Sequence, residues 1–127
     1  VAELADALLE ETGGPLGGPL RLHAPAVRRA RELLDSATHR IVRSRELEHA
    51  SGLSRFELAR QFKACMGTSP YRYSVYRRLE AARRRLGEAS TAELAIEAAF
   101  ADQAHFARAF KRTFGVTPGR HAKLRLD

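Results

Sequence analysis

The chain has 127 residues, of which 44% are hydrophobic, and its formal net charge is +7 at pH 7. This composition fits one globular domain, or two very small ones, and excludes a disordered chain. No apolar run approaches the roughly 18–20 residues of a membrane span, and one cysteine, Cys65, excludes a framework of internal disulfides. The positive charge predicts a polyanionic partner, either nucleic acid or an anionic membrane surface, unless it is only an arginine-rich soluble surface.

The charge is unevenly distributed, and the change marks a boundary near residue 20. Residues 1–20 carry four acidic and no basic side chains, whereas residues 21–127 sum to +11. Residues 1–11 have the apolar period of a helix, and residues 12–20 have the Gly and Pro content of a linker. We therefore expect residues 1–20 to be an interdomain helix and linker from a missing N-terminal domain, with a dimerising helix as the alternative. Residues 21–127 would form a separate, basic domain.

From residue 22 onward the apolar residues recur at helical spacing, and no segment alternates as a half-buried strand does. Pro25 suits the first position of a helix, and Ser54 and Ser90 are each followed three residues later by glutamate, the signature of a capping box. Asp102 is a third N-cap candidate. We predict an all-α fold of about seven helices.

The order of these helices indicates two helix-turn-helix units, at about 44–66 and 90–114. A linking helix at about 70–86, which Gly87 ends, joins them. At 1.5 Å per residue such a helix spans roughly 25 Å. With its flanking turns it allows two recognition helices to lie about 34 Å apart, in adjacent major grooves of DNA.

The two units contain a repeated segment. Residues 58–72 and 106–120 are identical at seven of fifteen positions when they are aligned at an offset of 48. On a helical wheel both copies have a core stripe and an opposite basic face. The predicted core stripes are Leu58, Phe62, Cys65 and Met66, and Phe106, Phe110, Thr113 and Phe114. The predicted outward residues are Phe56, Arg60 and Lys63, and Ala104, Arg108 and Lys111, with His105 and Arg112 beside them.

These outward side chains have the chemistry of a major-groove reader. Arginine bonds guanine O6 and N7 in bidentate fashion, and lysine neutralises a phosphate. Gln103 and His105 lie where recognition helices contact base edges, and Ala104 and Ala107 could pack against thymine methyl groups. A solvated charged face is the plainer interpretation of one such helix, but two in register favour DNA.

Three motifs resemble the DNA-binding domain of AraC/XylS-type transcriptional regulators. They are "SGLSRFELARQFKACMGTSP", "RLEAARRRL" and "FADQAHFARAFKRTFGVTP", and the resemblance covers residues 25–121, about four-fifths of the chain. It implies two helix-turn-helix units on a linking helix that bind two successive major grooves, contact with RNA polymerase, and an effector-binding and dimerisation domain on the N-terminal side.

The resemblance also implies site residues. Base or groove contacts fall on Arg55, Phe56, Ala59 and Arg60 in the first unit and on Gln103, Ala104, His105, Ala107 and Arg108 in the second. Phosphate contacts fall on Lys63 in the first unit and on Lys111 or Arg112 in the second, and the backbone at Ser44 and Ser90 would lie near phosphates.

The sequence departs from the family pattern in three places. Ala99 stands where the family has glycine before the turn aromatic, which costs roughly 1 kcal/mol if that residue is left-handed. His121 and Ala122 replace the usual Tyr-Arg closing pair. Because Ala104 and Ala107 have no hydrogen-bonding side chains, we expect the second unit to make fewer direct contacts to base edges than relatives with polar residues there.

Other kinds of site have little support. Cys65 is expected to be an inert buried thiol, and the five histidines show no spacing for a metal site. No Gly-rich phosphate loop, carboxylate pair or nucleophile elbow is present, so we expect no catalysis and no cofactor.

The sequence thus predicts a cytoplasmic regulator, with activation the expected output, that binds double-stranded DNA at an asymmetric site. The alternative is a basic helical module that docks on a protein or membrane.

Overall fold

A computed structural model of the chain describes residues 22–126, so the predicted interdomain helix and linker at residues 1–20 lie outside the described residues. Within this range the fold is all-α, as predicted, and its only β-type pairing is an isolated bridge between Leu86 and Ala89. The seven helices are α1 (Ala24–Ser36), α2 (Ser44–Ser51), α3 (Arg55–Met66), α4 (Pro70–Arg84), α5 (Thr91–Glu97), α6 (Gln103–Phe114) and α7 (Pro118–Leu126).

The helix starts follow from the capping residues that the sequence indicates. The side chains of Ser54, Ser90 and Asp102 accept hydrogen bonds from the backbone N–H three residues further on, at 3.2, 3.1 and 2.6 Å respectively. Each cap satisfies one of the N–H groups that a helix leaves unpaired at its first turn. Glu57, the expected reciprocal member of the first capping box, instead accepts from Arg60 and Gln61.

The linking helix ends earlier than predicted. Its last residue is Arg84 rather than residue 86, and Leu86 is buried in the turn that follows. Gly87 has a φ of 93° and so reverses the chain as a left-handed residue, three residues beyond the helix end.

A seventh helix at the C-terminal end was not predicted. Thr117 caps α7 by accepting from the N–H of Arg120 at 3.2 Å, just as Ser69 caps α4 by accepting from Arg72 at 3.1 Å. The predicted helix at residues 1–11 lies outside the described residues, so the agreement in helix number is partly a coincidence.

The chain forms two compact units. The first contains residues 22–36 and 42–73, and the second contains residues 37–41 and those from 74 onward. The core of the first unit consists of α1 and α3 side chains, Val27, Ala30, Leu34, Leu58 and Phe62. Tyr73 closes it with its ring edge-on to Phe62 at 5.5 Å and its hydroxyl donating to Asp35 at 2.6 Å.

The second unit is built around aromatic side chains. Phe106 and Phe110 are fully buried, and Phe100 and Phe114 contact them with ring centroids 5.5 and 4.7 Å away. Leu79, Leu94 and other small apolar side chains of α4 and α5 complete this core.

Two of the predicted core residues are wrong. Cys65 is exposed, although it lies on the Leu58 side of the helical wheel, because the covered side of α3 near its end is that of Gln61 and Ala64. Partial desolvation still raises the pKa of the Cys65 thiol above its usual range. Thr113 is likewise exposed, and Ala109 takes the buried place in α6.

Candidate nucleic-acid interface

Helix α3 presents an exposed face opposite its buried anchors, Leu58 and Phe62. Phe56 is 78% exposed, the largest exposed fraction among the large hydrophobic side chains that the structure describes. Ala59 and Lys63 are also exposed, and Arg60 is half-buried. Four of the five predicted contact residues of the first unit therefore share one accessible face.

The first turn of α3 is fixed by an ion pair. The N–H of Arg55 donates to Glu48 Oε2 at 3.0 Å, and its guanidinium lies 3.6 Å from the other carboxylate oxygen of Glu48. Arg55 remains 59% exposed, so this contact directs the side chain without removing it from solvent.

Arg60 is held by a chain of polar contacts. Its Nη1 donates to Glu57 Oε2 at 3.1 Å, and Gln61 Nε2 donates to Glu57 Oε1 at 3.0 Å. The backbone N–H of His23 in turn donates to Gln61 Oε1 at 2.7 Å. Gln61 is 3% exposed, so an amide at the centre of the first unit connects the start of α1 with the exposed face of α3.

Helix α6 is the counterpart of α3 in the second unit. Five of its predicted contact residues are exposed, namely Gln103, Ala104, Arg108, Lys111 and Arg112. Ala104, Arg108 and Lys111 lie opposite the buried Phe106 and Phe110 on the helical wheel, and Gln103 is accessible because it begins the helix. The first N–H groups of α6, one of which donates to Asp102, give this end of the helix a partial positive charge.

His105 and Ala107 are less accessible than predicted. Both are half-buried, and the imidazole of His105 packs edge-on against Phe100 with centroids 5.1 Å apart. The Phe100 side chain occupies this position because it fills the turn that precedes α6. The accessible surface of α6 therefore consists mainly of its five exposed residues.

A buried arginine holds the turn before α6. Arg78 of α4 is 6% exposed, and its Nη1 donates to the carbonyl oxygens of Ala98 and Ala99 at 3.3 and 3.0 Å. Its guanidinium carbon lies 5.1 Å from the centre of the Phe100 ring. Ala99 has a φ of 62°, so the residue that replaces the family's glycine is left-handed. Arg78 thus compensates for a strained backbone.

The two phosphate candidates at helix starts have different positions. Ser44 is the first residue of α2, which Arg43 precedes as N-cap, and it is exposed. Ser90 is itself the N-cap of α5, and its hydroxyl also donates to Glu93 Oε1 at 3.2 Å.

Sequence reasoning missed Gln61 and Arg78. Gln61 lies about 60° from Leu58 on a helical wheel, at the edge of the core stripe, and a polar residue there is a signal of a buried hydrogen-bond network. Arg78 gave no comparable signal, because it stands among several arginines of α4 that are exposed or half-buried.

Comparisons with known proteins agree with this geometry. The family model described as a helix-turn-helix domain matches residues 47–123. The transcriptional regulator MtrA of Neisseria gonorrhoeae is 36% identical over 76 residues, which are 58% of this chain and 25% of MtrA. An AraC-like transcription regulator of Streptomyces antibioticus is 36% identical over 80 residues, 61% of this chain and 26% of that protein. The chain spans about a quarter of the length of these curated relatives.

Solved structures share the fold. A regulator with an AraC-type DNA-binding domain from Chromobacterium violaceum is 26% identical, with a TM-score of 0.76 over 80% of this chain and 93% of that one. The DNA-binding domain of AdpA, solved in complex with a target DNA, is 20% identical, with a TM-score of 0.71 over 78% of this chain and 91% of that one. Among residues 22–126, none of the helices has the length and apolar character needed to cross a bilayer.

Proposed function

The chain belongs to the AraC/XylS family of transcriptional regulators and contains its helix-turn-helix DNA-binding domain, and on that premise we propose that α3 and α6 enter two successive major grooves of one duplex. The family is one of transcriptional regulators and is not an enzyme class. The observation that carries the proposal is the repetition. Two helices at an offset of 48 residues have buried aromatic anchors and an opposite exposed face with arginine and lysine at matching positions.

The AdpA domain, which shares this fold and was solved in complex with a target DNA, supports DNA binding as the function. In our proposal Arg60 and Arg108 bond base edges, and Lys63, Lys111 and Arg112 neutralise phosphates. Arg55, Phe56, Ala59, Gln103 and Ala104 complete the groove contacts, and His105 and Ala107 contribute from their half-buried positions. The starts of α2 and α5, at Ser44 and Ser90, supply backbone contacts to phosphates.

The target site is proposed to be asymmetric. Phe56 in the first unit corresponds to Ala104 in the second, and Glu57 corresponds to His105. These pairs differ in size and charge, so the two helices would prefer different base sequences. One chain would then occupy two half-sites about one DNA turn apart, which a helix-turn-helix dimer occupies with two identical subunits.

We further propose, by analogy with the family, contact with RNA polymerase, an activating output and a cytoplasmic location. Dimerisation would occur through an N-terminal domain. The acidic residues 1–20, with four carboxylates and no base, would form the connection to that domain.

Binding to duplex DNA across a series of salt concentrations tests the proposal against docking on a membrane. If three to six phosphates are neutralised, the logarithm of the association constant should fall against the logarithm of salt concentration with a slope of about −3 to −5. Vesicles of phosphatidylserine and phosphatidylcholine serve as the competing anionic surface. Tighter binding to vesicles than to duplex, with a shallow salt slope on DNA, would favour the docking module instead.

A further inference from the structure

We propose that Gln61 is a positioning residue for base readout. Through Glu57 it fixes the guanidinium of Arg60, so the half-site read by α3 is more strictly specified than the half-site read by α6. This inference rests on the proposed function and deepens it, because it assigns specificity to a side chain that is itself 3% exposed and cannot reach DNA.

The amide of Gln61 lies between two partners that determine its orientation. A backbone N–H can only donate and a carboxylate can only accept, so one orientation of the amide satisfies both the His23 N–H, at 2.7 Å, and Glu57 Oε1, at 3.0 Å. The site is shielded from water, and an amide left there without partners would be costly. Gln61 is therefore held in place, and it holds Glu57.

Glu57 uses its two oxygens for different partners. One accepts from Gln61, and the other accepts from Arg60 Nη1 at 3.1 Å. The guanidinium has five N–H donors in a rigid plane, so those not used by Glu57 remain available for guanine O6 and N7. Because the free protein has already fixed this side chain, binding costs less rotamer entropy.

The negative charge of Glu57 has a second effect on Arg60. It offsets the attraction of the guanidinium for phosphates, and that attraction is the same for every DNA sequence. An arginine whose charge is partly offset and whose orientation is fixed gains most from a correctly placed base. The Glu57–Arg60 pair thus favours discrimination over general affinity.

Helix α6 lacks both supporting residues. His105 stands at the position of Glu57, and Ala109 stands at the position of Gln61 and is 5% exposed. Arg108 therefore has no glutamate three residues before it and no buried amide behind it. Its side chain enters the groove from many rotamers, which predicts weaker discrimination in its half-site.

The test is the variant Gln61→Met, which keeps the buried volume and removes both hydrogen bonds. Its affinity is measured for a selected duplex and for duplexes with single base-pair changes in each half-site. We expect discrimination in the α3 half-site to fall about three- to tenfold, with discrimination in the α6 half-site and the salt slope unchanged. The α6 half-site is the internal control, and thermal unfolding verifies that the variant is folded.

Two results would overturn the inference. One is a folded Gln61→Met protein with the discrimination of the unmodified chain. The other is an equal loss in both half-sites, which is the signature of a merely structural role. The proposed function fails separately, when the unmodified chain itself prefers no sequence.

His23, the other hydrogen-bond partner of Gln61, offers a matched pair of variants at the start of α1. His23→Ala removes the imidazole, whose Nδ1 accepts from the N–H of Ala26 at 3.2 Å, but keeps the backbone N–H. His23→Pro removes both donor and imidazole. We expect His23→Pro, and not His23→Ala, to lower discrimination in the α3 half-site. Equal behaviour of the two variants would show that the contact between His23 and Gln61 has no part in readout.

Discussion

Ala99 is a residue with a left-handed backbone and a side chain that disfavours it, since its φ is 62°. Glycine has no such penalty, and the cost for an L-residue is about 1–2 kcal/mol. Arg78 holds the conformation by donating to the carbonyl oxygen of Ala99 at 3.0 Å. The second unit therefore keeps this turn through a tertiary contact rather than through local preference.

The variant Ala99→Gly should raise the free energy of unfolding by about 1 kcal/mol, because the strain is relieved while the contact with Arg78 remains. Urea denaturation measures it. Ala98→Gly is the matched control, since Ala98 has a φ of −85° and is 2% exposed, and glycine there should destabilise the fold. A lower stability for Ala99→Gly than for the unmodified chain would contradict the assignment of strain.

Glu80 is a nearly buried carboxylate of α4 with a pH-dependent role. A hydrogen bond from Arg83, whose Nε donates at 3.0 Å, holds the pKa of the Glu80 carboxyl below its usual range against partial burial, and the charges of Arg83 and Arg84 add to the effect. A depressed pKa in the folded state means that the stabilisation is present above the unfolded pKa. It is lost as the pH falls below about 4.3 and through the folded pKa.

Glu80→Gln should therefore unfold more easily than the unmodified chain at pH 7, by an amount of order 1 kcal/mol. The difference should shrink as the pH falls through the folded pKa of Glu80, because the protonated glutamate resembles glutamine. Urea denaturation at several pH values measures it. Glu88→Gln is the control, as Glu88 is 66% exposed and pairs with Arg85 at 3.5 Å. A constant difference across pH would contradict the role of the Glu80 charge.

At the level of helices, local signals predicted most of the fold. The side chains of Ser54, Ser90 and Asp102 each accept a hydrogen bond from the N–H three residues later. Because this signal is local, the sequence alone locates the starts of α3, α5 and α6. Helix α7 was not predicted, although Thr117 and Pro118 repeat the signal of Ser69 and Pro70 at the start of α4. This repeat could have located the helix.

What could not be predicted depends on neighbouring helices. A wheel gives the angle of a side chain but not how far the packing partner extends along the axis, which is why Cys65 is exposed and Ala64 is buried. The contact residues on α3 and α6 were likewise predicted from their places along each helix, which do not indicate what supports a side chain from behind. The network through Gln61 involves His23, which is 38 residues away in the chain. No local pattern reports such a contact.

The two recognition helices should make separable contributions to binding. Arg60→Ala and Arg108→Ala should each cost about 1–3 kcal/mol of binding free energy and relax base preference in different half-sites. Fluorescence anisotropy with base-pair variants of one duplex measures both effects. Arg28→Ala, an exposed position on α1, is the control that should leave binding unchanged. An equal loss of affinity for every duplex sequence would show that both arginines contact phosphates rather than bases.

Across the whole chain, charge and repetition lead to the same function. The net charge of residues 21–127 is +11, and some of their basic side chains lie at matching positions on α3 and α6. General affinity for DNA follows from the charge alone. Sequence specificity requires in addition that each helix reads its own base pairs.

Selection of bound duplexes from a random library tests that claim most directly. We expect one enriched motif with two different half-sites whose centres lie about 10 base pairs apart, with the stricter preference in the half-site that Arg60→Ala relaxes. A palindromic motif, or a single short half-site, would contradict reading by two different helices of one chain. Recovery of no enriched motif from a library that the protein binds would contradict sequence-specific recognition altogether.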